Sequence, residues 1–192
     1  MFGYKSQNHY YPTGITESCL PFTNQLNHLL VQNHYEQREV IFLCIGSDRA
    51  TGDSLGPLLG YKLSLYHLKN VSIYGTLDSP VHAQNIKETL ELIHTMHPDG
   101  LIIAIDASLG TSHHIGYVTL ANHSLLPGSG VNKSLPRAGD ISITGIVNIK
   151  GRTGNQLLLT TRLQLVMKMT DYLLTGILAS NLANDNNYVF PV

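Results

Sequence analysis

The stretch Val40 to Pro57 reads VIFLCIGSDRATGDSLGP. Its first six residues are apolar and rich in β-branched side chains, the composition of a strand buried on both faces, and Gly46 ends the run. A polar loop, Ser47 to Gly52, follows. Leu55, Leu58, Leu59 and Leu63 then recur at helical spacing, which puts Asp53 near the first turn of a helix. Strand, loop and helix in that order make a βα unit. Open α/β sheets bind ligands in the crevice at such strand ends, where neighbouring loops diverge. Asp53 thus has two readings, a helix cap or a working carboxylate facing that crevice. Gly46 and Gly52 bracket the turn as in a phosphate-binding loop, but that chemistry needs Lys and then Ser or Thr after the second Gly. Asp53 and Ser54 stand there instead, and a carboxylate repels phosphate.

The pattern repeats downstream. Val71 to Tyr74 reads as a second short strand and Ile86, Leu90 and Ile93 as the next helix; Pro98, Asp99 and Gly100 break that helix. Leu101 to Ile105 is a continuous apolar run ending in Asp106, the pattern of a central parallel strand. Three βα units predict an α/β fold with a mainly parallel sheet. Tyr117 to Leu120 and Ile141 to Ile149 read as further strands, with a long Gly/Pro-rich loop, Asn122 to Asp140, between them. A helix from about Gln156 to Ala179 closes the pattern. Upstream, Phe22, Leu26, Leu29 and Leu30 give a first amphipathic helix after Pro21. Met1 to Cys19 reads as an arm with little structure of its own, whose Tyr4, Tyr10 and Tyr11 could dock on a subunit or a substrate groove. The expected organisation is a flexible arm over residues 1–20, one domain over 21–180, and a polar tail over 181–192.

The 192 residues are 43% hydrophobic and 13% charged, a globular composition long enough to bury one core. A formal net charge of −1 and the lack of any basic run argue against nucleic acid as a partner. Two cysteines, Cys19 and Cys44, are too few for a disulfide framework, and Cys44 falls inside the first strand. The opening MFGYKSQNHYYP has no charged region leading into an apolar one, and no apolar run approaches the ~20 residues that span a bilayer. A cytoplasmic protein with no membrane partner is expected.

Asp106 ends its strand as Asp53 opens the helix after its own. If the two strands are neighbours, two carboxylates converge on one crevice. Like charges in a poorly solvated site do not both ionise cheaply, so one carboxyl can act as base on water and the other as acid. A helix N-terminus beside Asp53 favours its ionised form, making Asp53 the base and Asp106 the acid. The alternative for Asp106 is a turn residue bonding nearby amides. His82, after Pro80, lies near a helix start and is a candidate for orienting substrate. Gly128 and Gly130, flanking Ser129, would let backbone amides approach a substrate carbonyl; Ser129 lacks the G-x-S-x-G elbow of a serine hydrolase. Glu91, His94 and His97 have ligand-like helical spacing, but such a set is ordinarily a solvated face. His113 and His114 are adjacent and point opposite ways in extended chain.

TGDSLGP (Thr51 to Pro57), AIDA (Ala104 to Ala107) and PGSGV (Pro127 to Val131), in that order, resemble the germination protease of spore-forming bacteria. With SDRATGDSLGP, LDSPVHA and GDISITGIVN, the chain from Val40 to Gly176 is similar to the smaller YyaC-type spore protease family. The resemblance implies an α/β sheet sandwiched by helices, a fold of the hydrogenase-maturation-protease kind. It also implies an atypical aspartic endopeptidase of sporulating cells, with Asp53 and Asp106 as the catalytic pair, a protein or peptide substrate and room for a homo-oligomer. The chain is much shorter than the germination protease, so that enzyme's spore-protein substrates do not carry over. Hydrogenase maturation proteases bind nickel of the substrate through an acidic residue, an Asp and a later His. No His follows His123 here, so no cofactor and no metal dependence are expected.

Overall fold

The structure, a computed structural model, describes residues 9–14, 17–127, 135–151 and 154–183. In chain order the elements are β1 (His9–Pro12), α1 (Leu20–Gln32), β2 (Val40–Cys44), α2 (Leu55–Ser64), β3 (Val71–Tyr74), α3 (Ile86–Met96), β4 (Leu101–Gly110), β5 (Tyr117–Ala121), β6 (Ile141–Ile149), α4 (Gly154–Leu159) and α5 (Leu163–Leu178). The strands form one six-stranded sheet in the order β1-β5-β6-β4-β2-β3. β3, β2, β4 and β6 run parallel, and β5 and β1 antiparallel.

β2 sits near the middle because both its faces are apolar. Val40, Phe42 and Cys44 enter one core cluster with Phe22, Leu26, Leu59, Met169 and Leu173, from α1, α2 and α5. Ile41, Leu43 and Ile45 enter the other with Ile86, Leu90 and Ile93 of α3. The two-residue pleat thus sends alternate side chains into two helix layers, which is the three-layer α/β sandwich.

Three expectations are corrected. The arm is not structureless throughout: His9–Pro12 pairs with β5 at the sheet edge, and Tyr11 is buried in the chain's own core, edge-on to Phe22. β4 does not stop at Asp106 but runs on to Gly110, since β6 continues beside it and pairs as far as Gly110 with Ile149. The final helix is two helices. Asn148 donates to the Leu157 carbonyl at 2.9 Å, Thr161 turns its hydroxyl onto the same oxygen at 2.8 Å, and Arg162 is extended. That break sets α4 against the turn that carries Asp53.

At the opposite end of the sheet, Glu39 accepts from Ser72 and pairs with His97 Nδ1 at 2.7 Å, while His97 Nε2 meets the Tyr74 hydroxyl at 2.9 Å. The Ser72 hydrogen bond, more than His97, lowers the Glu39 pKa below its ordinary 4.5. A depressed carboxylate contributes stability above its unfolded pKa and loses it as pH falls through the folded one. Glu39→Gln should therefore melt below the parent at about pH 7, with the gap closing as pH is brought well under 4.5. A gap that stays constant between the two pH values would contradict this.

Candidate active site

Asp53 is placed by a tight turn. Past β2, Gly46 takes φ +139° and the chain loops out through Asp48 and Arg49, then returns in the 3-10 turn Thr51–Asp53. The Ser47 N–H donates to the Asp53 carbonyl oxygen at 3.1 Å, and the Asp53 N–H to the Ala50 carbonyl at 2.9 Å. A Cβ at Gly52 would lie 2.7 Å from Thr161 Oγ1 and 2.9 Å from the Leu158 carbonyl oxygen, so the turn rests on the α4–α5 junction with no room to spare. Ser54, not Asp53, occupies the N-cap position of α2, and its hydroxyl donates back to the Thr51 carbonyl at 2.7 Å. The capping reading of Asp53 therefore gives way.

The Asp53 carboxyl is half-buried. Burial raises its pKa, opposed by the Ser47 amide and by the charge of His82. Desolvation outweighs both, contrary to the sequence expectation of a favoured ionised form, and Asp53 holds its proton more tightly than an exposed carboxyl.

His82 is delivered by a loop fastened to the end of β2. Ile45 and Val81 form a parallel bridge, and the Gly46 N–H donates to the Val81 carbonyl at 2.8 Å. The His82 N–H donates to Asn85 Oδ1 at 2.8 Å, and Asn85 Nδ2 to the Pro80 carbonyl at 3.0 Å. His82 Nδ1 accepts from the Gln84 N–H at 3.3 Å, which leaves the neutral ring's proton on Nε2.

Asp106 is 7% exposed. It lies one residue beyond the last β2–β4 pair, Cys44 with Ile105, and opposite Thr144 of β6. The strands carrying the two aspartates are thus neighbours, and the Thr51–Asp53 turn packs against β4. Ile102 and Ala104 belong to the core under α3, so the pleat places Asp106 on that face, the same one Val81 enters. Asp106 thus lies within a strand and not in a turn.

Of the other candidates, those the structure describes lie elsewhere. Gly128, Ser129 and Gly130 lie outside the described residues. Glu91 and His94 are exposed on α3 while His97 is held by Glu39 and Tyr74. His113 is exposed, and His114 stacks on Tyr10, with ring centroids 4.3 Å apart. Among the described residues no three His, Cys, Asp or Glu side chains gather closely enough to hold a metal ion. Asp53, His82 and Asp106 therefore do not make a three-donor metal set. Also among the described residues, no helix is long and apolar enough to cross a membrane. Sequence reasoning missed Ser47, whose amide faces Asp53, and Thr161 with Asn148, which seat the turn; only the glycine spacing around Asp53 hinted at such close packing.

Over residues 15–176 the chain matches the family described as proteins of unknown function (DUF1256), and it belongs to that family. It is 45% identical over 140 residues to the uncharacterized protein YyaC of Bacillus subtilis (strain 168), covering 73% of this chain and 68% of that one. Among solved structures it is similar to the [NiFe] hydrogenase maturation protease HycI from Thermococcus kodakarensis KOD1, with 18% identity, a TM-score of 0.47, and 73% of this chain and 90% of that one covered.

Proposed function

We propose that the protein is an endopeptidase of sporulating cells that activates water with Asp53 and Asp106. The observation that carries the reading is the placement of two carboxyls at one end of adjacent parallel strands, one buried in β4 and one with a raised pKa on the turn beside it. A carboxylate with raised proton affinity is a stronger base than a solvated one. Asp53 takes a proton from water as the water oxygen bonds to the peptide carbonyl carbon. Asp106 gives its proton to the departing nitrogen as the C–N bond breaks. The charge of His82 opposes the rise that burial imposes on Asp53. The three sequence motifs, in their order, support the sporulation setting.

The test is mass spectrometry of a library of unstructured peptides incubated with the purified protein. Defined new termini that vanish in the Asp53→Asn protein support the reading. Peptides bound but intact would favour a noncatalytic binding protein on the same fold.

We further propose that cleavage needs no tightly bound nickel or zinc, because the donor set at the site lacks a third member among the described residues. Prolonged chelation should leave the cleavage rate unchanged. Loss on chelation, restored by one metal, would overturn this.

A further inference from the structure

β4 outlasts β2. Their ladder ends at Cys44 with Ile105, whereas β4 continues through Asp106 to Gly110 with β6 on its other side only. Beyond Gly46 the β2 chain leaves the sheet, the Gly46 N–H going to Val81 and the Ser47 N–H to Asp53. No strand among the described residues therefore lies beside Ala107 to Gly110 where β2 would have continued.

The direction of the backbone groups on that side follows from the ladder. The Ile45 N–H donates to the Ile105 carbonyl at 2.7 Å, so Ile105 turns its peptide groups toward β2, and strand alternation turns those of Ala107 and Leu109 the same way. The Lys150 N–H donates to the Gly110 carbonyl at 2.7 Å, which fixes the alternate residue toward β6 and agrees with that parity.

Natural sheets blunt an exposed edge with Lys, Pro or a covering segment. Ala107, Ser108, Leu109 and Gly110 carry no charge, are all half-buried, and begin one residue after Asp106. An edge left uncharged directly beside a candidate catalytic carboxyl is suited to an extended chain.

We propose that the substrate is an unfolded polypeptide segment that adds to the sheet as a strand along Ala107 to Gly110, taking the place β2 vacates. The proposal rests on the peptidase reading for the cleavage step alone. Backbone pairing supplies affinity with little side-chain preference, and it sets the peptide across the strand ends where Asp53 and Asp106 act. A folded protein cannot offer such a segment.

The experiment takes one cleaved member of the peptide library and its single N-methyl derivatives, with hydrogen exchange of the protein read in parallel. N-methylation should raise KM about tenfold at every second position and little at those between, because alternate amides face β4. The Ala107 and Leu109 amides should exchange at least about tenfold more slowly with peptide bound. Cleavage with uniform N-methyl effects and no protection at Ala107 to Gly110 overturns strand addition and leaves the peptidase reading standing. Protection there in a protein that binds the library without cleaving it sinks the peptidase reading instead and retains strand addition. Neither cleavage nor protection with the whole library overturns both.

Discussion

Asp106→Asn and Asp53→Asn should each lower peptide cleavage by about a hundred- to ten-thousand-fold, the range removed with a general acid or base. The double variant should be little worse than either single one, since the two carboxyls serve one step and their losses do not add. The amide keeps size and hydrogen-bonding shape but abolishes titration. Stability separates this outcome from simple unfolding. The Asp53 pKa is raised from 3.8 by burial. Its contribution to stability is therefore full below the unfolded pKa and declines as pH rises through the folded one, where an ionised carboxyl must stay buried. Asp53→Asn removes that decline. Its melting temperature at about pH 7 should equal or exceed the parent's, and the excess should shrink as pH falls toward 3.8. Near-normal cleavage by either single variant excludes the mechanism, and a collapse in melting temperature would assign that Asp a structural role.

The second large effect is expected at Gly46. Its φ of +139° is open to glycine and strained for any side chain. A Cβ there would also sit 2.0 Å from the Asp53 carbonyl oxygen and 3.2 Å from Pro57 Cδ. The obstruction is backbone, held by the Ser47–Asp53 hydrogen bond, and cannot swing aside. Strain of this kind costs about 1–3 kcal/mol before the clash is counted. Gly46→Ala should lose about 3 kcal/mol or more, seen as a fall in melting temperature of about 6–12 °C for a chain of this size. Cleavage should fall further than stability explains, because relieving the clash moves Asp53. Gly151→Ala is the control: its Cβ meets only Leu157 Cδ1 at 3.5 Å, and it should melt within about a degree of the parent. Equal melting temperatures for the two variants would show that the turn is softer than its geometry implies.

Much of the architecture could be read from apolar runs. Val40 to Ile45 and Leu101 to Ile105 are buried on both faces, and a continuous run bounded by Gly or Pro has few other homes. What escaped reading was set by partners distant in sequence. Asp106 looked like a strand end because polarity alone marks ends; β4 continues past it since β6, more than thirty residues later, keeps pairing. The Thr160–Arg162 break is invisible in the apolar spacing, for Asn148 on a strand supplies the hydrogen bond that stabilises it. Asp53 was legible as a candidate from its place between strand and helix. Its raised pKa was not, since burial of the carboxyl belongs to tertiary packing.

The edge strand β1 sets an order of events during synthesis. It leaves the ribosome before the other described strands, yet its partner among the described residues is β5, and Thr13 bonds to Gly116, 103 residues further on. Until β5 has been made the segment has nothing to pair with, and Tyr11 has no Phe22 pocket closed over it. β5 in turn is held by β6, which is made later still. Of the described strands, β1 is thus made first and placed last. Its docking reports that the rest of the sheet is complete, and a nascent chain stalled before Ile149 should leave it accessible to protease.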